Sequence, residues 1–322
     1  MADLIAITIG DIKGVGIKIL IDAWINRKIN NFILFTDHKI IKQYLNNKNI
    51  KIELNIIKKE KIYIDNKKLN IFSYNSNSKE DNTYKSLKFA YNFCKEKICI
   101  GIITLPVRKD LIKNKVNKNF IGHTEYFQKI DNKKYSNMIL YNKQIIISPL
   151  TTHIEIKKIS KFISNKKFIF NQILNLNNTL KKDFNISKPK LIISGLNPHA
   201  GENGKIGKEE LTYILPTIKK LNKKGVLIDG PFSADSILIK NNLIKYNCFI
   251  FIYHDQALIP FKYISQFSGV NYTGNLSVIR TSPDHGTAYD LLKSKKFSNK
   301  SFMNCYKLVK KIYKNRMIND KS

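Results

Sequence analysis

The chain is 322 residues long and 43% hydrophobic, enough apolar material for one large or two ordinary domains and too much for a disordered chain. Its formal charge of +32 is of the kind seen in nucleic-acid binders. Only four of the 56 basic residues are arginine, however (Arg27, Arg108, Arg280 and Arg316), and arginine is the residue that reads bases. The lysines are spread among asparagine and isoleucine, which share A/T-rich codons, so coding bias and a solvated surface account for the charge. No nucleic-acid partner is expected. The cysteines Cys94, Cys99, Cys248 and Cys305 form neither a C-x-x-C pair nor a disulfide framework, and Cys248 reads as core. No basic segment precedes the short apolar run at the start, and no run nears the roughly 18 apolar residues of a membrane span. A cytoplasmic protein with no membrane partner is expected.

Apolar runs predict strands at 4–9, 32–35, 98–105, 144–148, 191–194, 226–228 and 248–253. Helical spacing falls at 15–26, 82–96, 155–174, 207–222 and 299–314, with Leu87, Ala90, Tyr91 and Cys94 on one face of the second helix. The stretch from 50 to 80 reads as an irregular edge or hairpin. Alternating strands and helices predict an α/β fold on a largely parallel sheet. The informative motifs lie between 122 and 290. This divides the chain into a first α/β domain, 1–120, and a second, 121–294, carrying the metal and substrate motifs. The final helix, 295–322, is expected to pack back on the first domain.

Five of the six histidines sit in polar, glycine- or threonine-containing segments. His153, His199 and His254 each follow a β-run, and the carboxyl ends of parallel strands open on one ligand-binding edge. Three imidazoles there suit a zinc-like divalent ion, while three loop histidines bonded to backbone fit the spacing as well. Gly201, Gly204 and Gly207 ahead of a helix could cradle a phosphate, as could the turn from Gly10 to Gly16, although tight turns explain these glycines equally. Lys262, Asn271 and Arg280 could hold a phosphorylated, carboxylated substrate; Arg280 stands out because arginine is scarce. Asp235 and Asp255 are acid/base candidates or helix caps. Trp24 reads as core. Neither a G-x-S-x-G elbow nor a G-x-G-x-x-G fingerprint is present, so the sequence locates no nucleophile and no NAD contacts.

Gly122-His123-Thr124-Glu125, the segment from Gly195 to Glu202, Tyr253-His254-Asp255-Gln256, Gly269-Val270-Asn271 and the segment from Ile279 to Ala288 are collinear. Together with Thr8-Ile9-Gly10-Asp11 they resemble the 4-hydroxythreonine-4-phosphate dehydrogenase family, NAD-dependent enzymes of pyridoxal phosphate (vitamin B6) biosynthesis. The resemblance covers most of the chain. It implies an isocitrate/isopropylmalate-dehydrogenase-like fold of two α/β domains with the active site in the cleft between them. It also implies a homodimer whose metal ligands, His153, His199 and His254, come from both subunits. Substrate contacts carry over onto His123, Thr124, Lys262, Asn271 and Arg280, and Asp235 matches an active-site aspartate. The first motif departs from the family pattern at Ile9, Ile12, Lys13, Ile17 and Lys18. Leu105 replaces a common glycine, and Pro283 a common valine. These changes bear on loop rigidity more than on reaction type.

The resemblance implies oxidation of 4-phosphooxy-L-threonine by NAD(+), with zinc, cobalt or magnesium as the divalent ion. The product, 2-amino-3-oxo-4-phosphooxybutanoate, decarboxylates to 3-amino-2-oxopropyl phosphate. Either Asp235 or a metal-bound hydroxide serves as general base. A paralogous dehydrogenase of 4-phospho-D-threonate or 4-phospho-D-erythronate shares these motifs, and a non-catalytic nucleic-acid-binding protein is the remote alternative.

Overall fold

The computed structural model describes residues 3–289 and 298–320. In chain order the strands of the first half are β1 (Ile5–Thr8), β2 (Phe32–Phe35), β3 (Leu54–Ile57), β4 (Leu69–Phe72) and β5 (Gly101–Thr104). Those of the second half are β6 (Asn137–Tyr141), β7 (Ile146–Pro149), β8 (Lys190–Ser194), β9 (Leu227–Phe232), β10 (Cys248–Phe251), β11 (Val270–Gly274) and β12 (Arg280–Pro283). The helices are α1 (Val15–Ile25), α2 (His38–Asn47), α3 (Lys79–Lys95), α4 (Lys109–Lys115), α5 (His123–Ile130) and α6 (Ile159–Ile163). They continue with α7 (Lys166–Phe184), α8 (Leu215–Lys223), α9 (Lys240–Lys245), α10 (His254–Ser265) and α11 (Lys300–Asn319).

Two compact units result, Met1–Phe127 with Ser277–Lys314, and Gln128–Leu276 with Asn315–Ser322. The first unit's sheet runs β3-β4-β2-β1-β5-β12, and every pairing in it is parallel. The second unit's sheet runs β11-β6-β7-β10-β8-β9. There β11, β6 and β7 pair antiparallel and the remainder parallel. The fold is α/β on largely parallel sheets, and its central strands β1, β2, β5 and β10 are buried at every residue. That is why they read as unbroken apolar runs rather than alternating ones.

The division differs from the expected boundaries at 120 and 294. β12 pairs with β5, Arg280 opposite Ile102 and Thr281 opposite Ile103, so the segment after 276 completes the first sheet although its motif follows those of the second unit. Residues 295–297 and 321–322 of the expected last helix lie outside the described residues. Within the first unit α11 lies on β5, where a Cβ on Gly101 would stand 2.7 Å from Val309 Cγ1. The stretch from 50 to 80 is no hairpin. It forms β3 and β4, paired parallel, with the 58–68 crossover pinned by Asp65 N–H donating to the buried Asn70 Oδ1 at 2.9 Å. The helix expected over 155–174 breaks at Asn165, whose side chain caps α7 by accepting from Phe168 N–H at 3.1 Å.

Candidate functional site

In the first unit the chemistry gathers where β5 ends, β12 begins and α5 opens. Arg280 is 2% exposed, among the largest fully buried side chains of the chain. Its Nε and Nη2 donate to Thr104 Oγ1 at 3.0 and 2.6 Å, and its guanidinium carbon lies 5.9 Å from the Phe127 ring centre. Burial pushes its pKa down to about 10, opposed by Cys305 and Glu125. A charge this deep is costly to bury, so it favours an anion as partner. His123 opens α5, and its Nε2 is buried without a hydrogen-bond partner. Burial, then the positive charges of Arg280 and Lys109, hold its pKa well below 6.5. The imidazole is therefore neutral at pH 7. Thr124, the next residue, is buried. Buried polar atoms without partners are rare in folded chains, and His123 Nε2 is one that a ligand can satisfy.

The opening motif lies in the same unit. Gly10 has φ +63°, and a Cβ there would stand 2.7 Å from Leu105 Cβ and 2.8 Å from the Pro106 carbonyl, so only glycine fits. Asp11 N–H donates to that carbonyl at 2.8 Å, and Val15 N–H to the Thr287 carbonyl at 2.9 Å. The Tyr289 hydroxyl bonds Asp11 Oδ2. Ile9, Ile12 and Ile17 are core residues, while Lys13 is exposed. Two more N–H groups of this turn are taken up by Asp11, Lys13 N–H on its Oδ1 and Gly14 N–H on its carbonyl, both at 2.9 Å.

In the second unit β7, β10 and β8 are adjacent and parallel, so the segments bearing His153, His254 and His199 leave one edge of the sheet. The His153 and His254 ring centres are 5.6 Å apart. His254 opens α10 and places Nδ1 2.6 Å from Asp255 Oδ1. A carboxylate only accepts, so the His254 proton sits on Nδ1 and the Nε2 lone pair is left for a ligand. His199 is exposed. Among the described residues no group of three His, Cys, Asp or Glu side chains could hold a metal ion, so one copy of the chain assembles a pair of histidines rather than a tripod. The pair nonetheless fits a divalent ion, for which neutral imidazoles are suitable donors. Asp235, in the turn between β9 and α9, and Lys262, in the last turn of α10, are both exposed. Asn271 lies on β11, and its Oδ1 is buried with no hydrogen-bond partner.

The loop that carries His199 is a left-handed turn. His199, Ala200, Gly201, Glu202, Asn203 and Gly204 have φ of 51°, 52°, 79°, 42°, 55° and 89°. For residues with a Cβ this costs roughly 1–2 kcal/mol each. Glu210, 2% exposed, holds the start of the turn. Its Oε1 accepts from Leu196 and Asn197 N–H, both at 2.8 Å, and its Oε2 from Asn197 Nδ2 at 3.0 Å. A Cβ on Gly201 would meet Glu210 Oε2 at 2.7 Å and the Gly207 carbonyl at 2.6 Å, and one on Gly207 would overlap the Asn197 amide. Two of the three glycines offered by the sequence as a phosphate cradle therefore clear space for the protein's own groups.

Residues 28–309 match the family described as pyridoxal phosphate biosynthetic protein PdxA. The chain belongs to this family. A 4-hydroxythreonine-4-phosphate dehydrogenase of Sulfurihydrogenibium sp. (strain YO3AOP1) is 36% identical over 299 residues, covering 89% of this chain and 91% of that protein. The crystal structure of 4-hydroxythreonine-4-phosphate dehydrogenase from Klebsiella pneumoniae superposes with a TM-score of 0.84 at 26% identity, covering 97% of this chain and 98% of that one. The enzyme of the same name from Burkholderia phymatum gives 0.75 at 25%, with 98% of each chain covered. Beyond the family's motif positions, the structure adds Thr104, Lys109, Phe127 and Glu210. Lys109 is indistinguishable by sequence from the other lysines. Thr104 and Phe127 meet Arg280 across more than 150 residues of chain. Glu210 had a signal, a glutamate three residues after the last of three spaced glycines.

Proposed function

We propose that the chain catalyses NAD(+)-dependent, divalent-metal-dependent oxidation of 4-phosphooxy-L-threonine to 2-amino-3-oxo-4-phosphooxybutanoate, in the cytoplasm, within pyridoxal 5'-phosphate biosynthesis. The observation that carries the reading is the His123–Arg280 group: a neutral imidazole with an open Nε2 beside a fully buried guanidinium, in a member of a family whose named relatives act on a phosphorylated hydroxy amino acid.

Arg280 supplies the charge that draws the substrate phosphate, and its hydrogen bonds to Thr104 hold the guanidinium plane. A phosphate brought there finds donors in the Thr124 hydroxyl and, if the imidazole carries its proton on Nε2, in His123. Asn271 Oδ1, buried and without a partner, accepts from a substrate N–H or O–H. Lys262 adds a positive charge for the carboxylate. His153, His199 and His254 hold a zinc, cobalt or magnesium ion, which when bound acidifies the substrate hydroxyl and stabilises its conjugate base. NAD(+), when bound, would supply the hydride acceptor for the carbon that bears this hydroxyl. Asp235 is the candidate to accept the hydroxyl proton. The β-keto acid so formed loses carbon dioxide to give 3-amino-2-oxopropyl phosphate.

The working form is a homodimer with the histidine ligands drawn from both copies. That arrangement accounts for one copy gathering two imidazoles rather than three. Exposed apolar side chains on the helix that His254 opens support it: Ile259 and Tyr263 on α10 are 71% and 85% exposed. NADH absorbance with NAD(+) and 4-phosphooxy-L-threonine, with and without a chelator, tests the reading. Chelator-sensitive turnover of this substrate is expected. Turnover of 4-phospho-D-threonate instead moves the chain to phosphorylated sugar acids, and turnover of neither overturns the assignment.

A further inference from the structure

We propose that Glu210 is a positioning residue that locks the left-handed turn and thereby sets where the His199 imidazole stands; the inference rests on the metal reading above. Left-handed conformation is uncommon even for one residue with a Cβ, yet here it persists from His199 through Gly204 with only two glycines among the six. Such a run persists only where its surroundings over-determine it. The groups that do so converge on two adjacent carboxylates. Glu210 takes both backbone N–H groups at the entry of the turn, at 2.8 Å each. The Asn197 side-chain amide bridges Glu210 Oε2 at 3.0 Å and Glu209 Oε2 at 2.8 Å, and Glu209 Oε1 accepts from Ser160 at 2.8 Å. The exit closes on the turn itself, with Ile206 N–H donating to the Gly201 carbonyl at 3.2 Å.

Glu210 is also the first residue of a π-helical turn, Glu210–Ile214, that leads into α8. The wider turn is the local irregularity expected where one side chain must be aimed at a fixed place. A carboxylate is required because all three groups it meets are donors, two backbone N–H and one amide N–H. Glutamine would turn an NH2 towards at least one of them. The turn is thus a spring held shut by an acceptor with no donor of its own, and His199 is its first residue.

The test is cobalt(II) binding to the full-length native protein, followed by d–d absorbance, together with amide hydrogen exchange over 196–206. Glu210→Gln is expected to weaken cobalt binding about ten- to a hundredfold, the usual effect of removing a group that orients a ligand, and to speed exchange in that segment. Inorganic phosphate binding by the first unit should stay at the wild-type level and reports that the variant is folded. Should Glu210→Gln not fold, Gly207→Ala carries the same comparison, because its methyl would overlap the Asn197 amide and displace it from Glu210. In a His199→Ala background Glu210→Gln should cost nothing further, since it acts through that imidazole. Faster exchange with unchanged cobalt affinity overturns the proposal, as does an additive loss in the double variant. Equal cobalt binding by wild type and His199→Ala overturns it by a different route, by showing that His199 is no ligand and the metal reading itself is at fault.

Discussion

The first unit buries its arginine and histidine, and the second displays its histidines. Arg280 and the His123 Nε2 are enclosed by β5, β12 and α5, so the folding of the first unit already bears the desolvation of a guanidinium and an imidazole. His153 and His199 are exposed on loops, and His254 keeps a third of its side chain in water. The first arrangement ties recognition to stability, because the same hydrogen bonds serve both. In the second, the His254 ring is oriented by Asp255, and no histidine is enclosed as His123 is. Substitutions in the two regions should therefore separate into those that change stability and activity together and those that change activity alone.

The largest effect is expected at the exposed pair. His254→Ala removes a ligand without opening a cavity, so kcat should fall by roughly 10³-fold, the scale of several kcal/mol from metal chemistry, while stability changes by less than about 0.5 kcal/mol. Parallel kinetics and thermal melts check this. A comparable loss of stability would erase the distinction. Arg280→Ala should do the opposite, raising KM by about 10²-fold and lowering stability by about 2–4 kcal/mol through lost packing and charged hydrogen bonds. Arg280→Lys should recover little of either, because ammonium lacks the planar fork that meets Thr104. Urea unfolding and KM measured on the same preparations decide the matter.

Thr104→Val is a finer probe. It keeps the shape and removes the acceptor for Arg280 Nε and Nη2, leaving a buried donor short at a cost of about 1–3 kcal/mol. KM should rise with kcat nearly unchanged, and Thr104→Ser should restore the wild-type value. A loss in kcat alone would place Thr104 outside phosphate binding. The smallest effect is the pH dependence of His123. Its folded pKa lies below the ordinary 6.5, so below pH 6.5 the unfolded chain binds a proton that the folded chain does not. Stability is full above pH 6.5 and falls as pH drops towards the folded value, by up to about 1.4 kcal/mol per pH unit. His123→Gln should flatten the dependence of urea midpoints on pH between about 6.5 and 5.

Much of the molecule was legible in the chain. The buried runs of β1, β2, β8 and β10 declared themselves because strands covered on both faces are apolar throughout. Segments with mixed faces did not: β3 and β4 each carry an asparagine among their apolar residues, and the lysine-rich stretch around them reads as an irregular edge or hairpin. The histidines stood out because they fall at strand ends, and Arg280 because arginine is scarce. Glu210 follows three spaced glycines, but that spacing does not show that its carboxylate turns back onto the 196–197 backbone.

Composition and local pattern alone determined the fold class, the family motifs and the residues worth attention, because hydrophobic period and residue scarcity are properties of neighbouring positions. Tertiary structure alone decided that Arg280 belongs with His123 and Thr104 in the first unit, that two histidines rather than three meet within one copy, and that the glycines around 201–207 make room for Glu210. Each of these depends on which strand pairs with which and on how deeply a polar group is buried. Both are settled by contacts between residues far apart in the chain, where local periodicity carries no information.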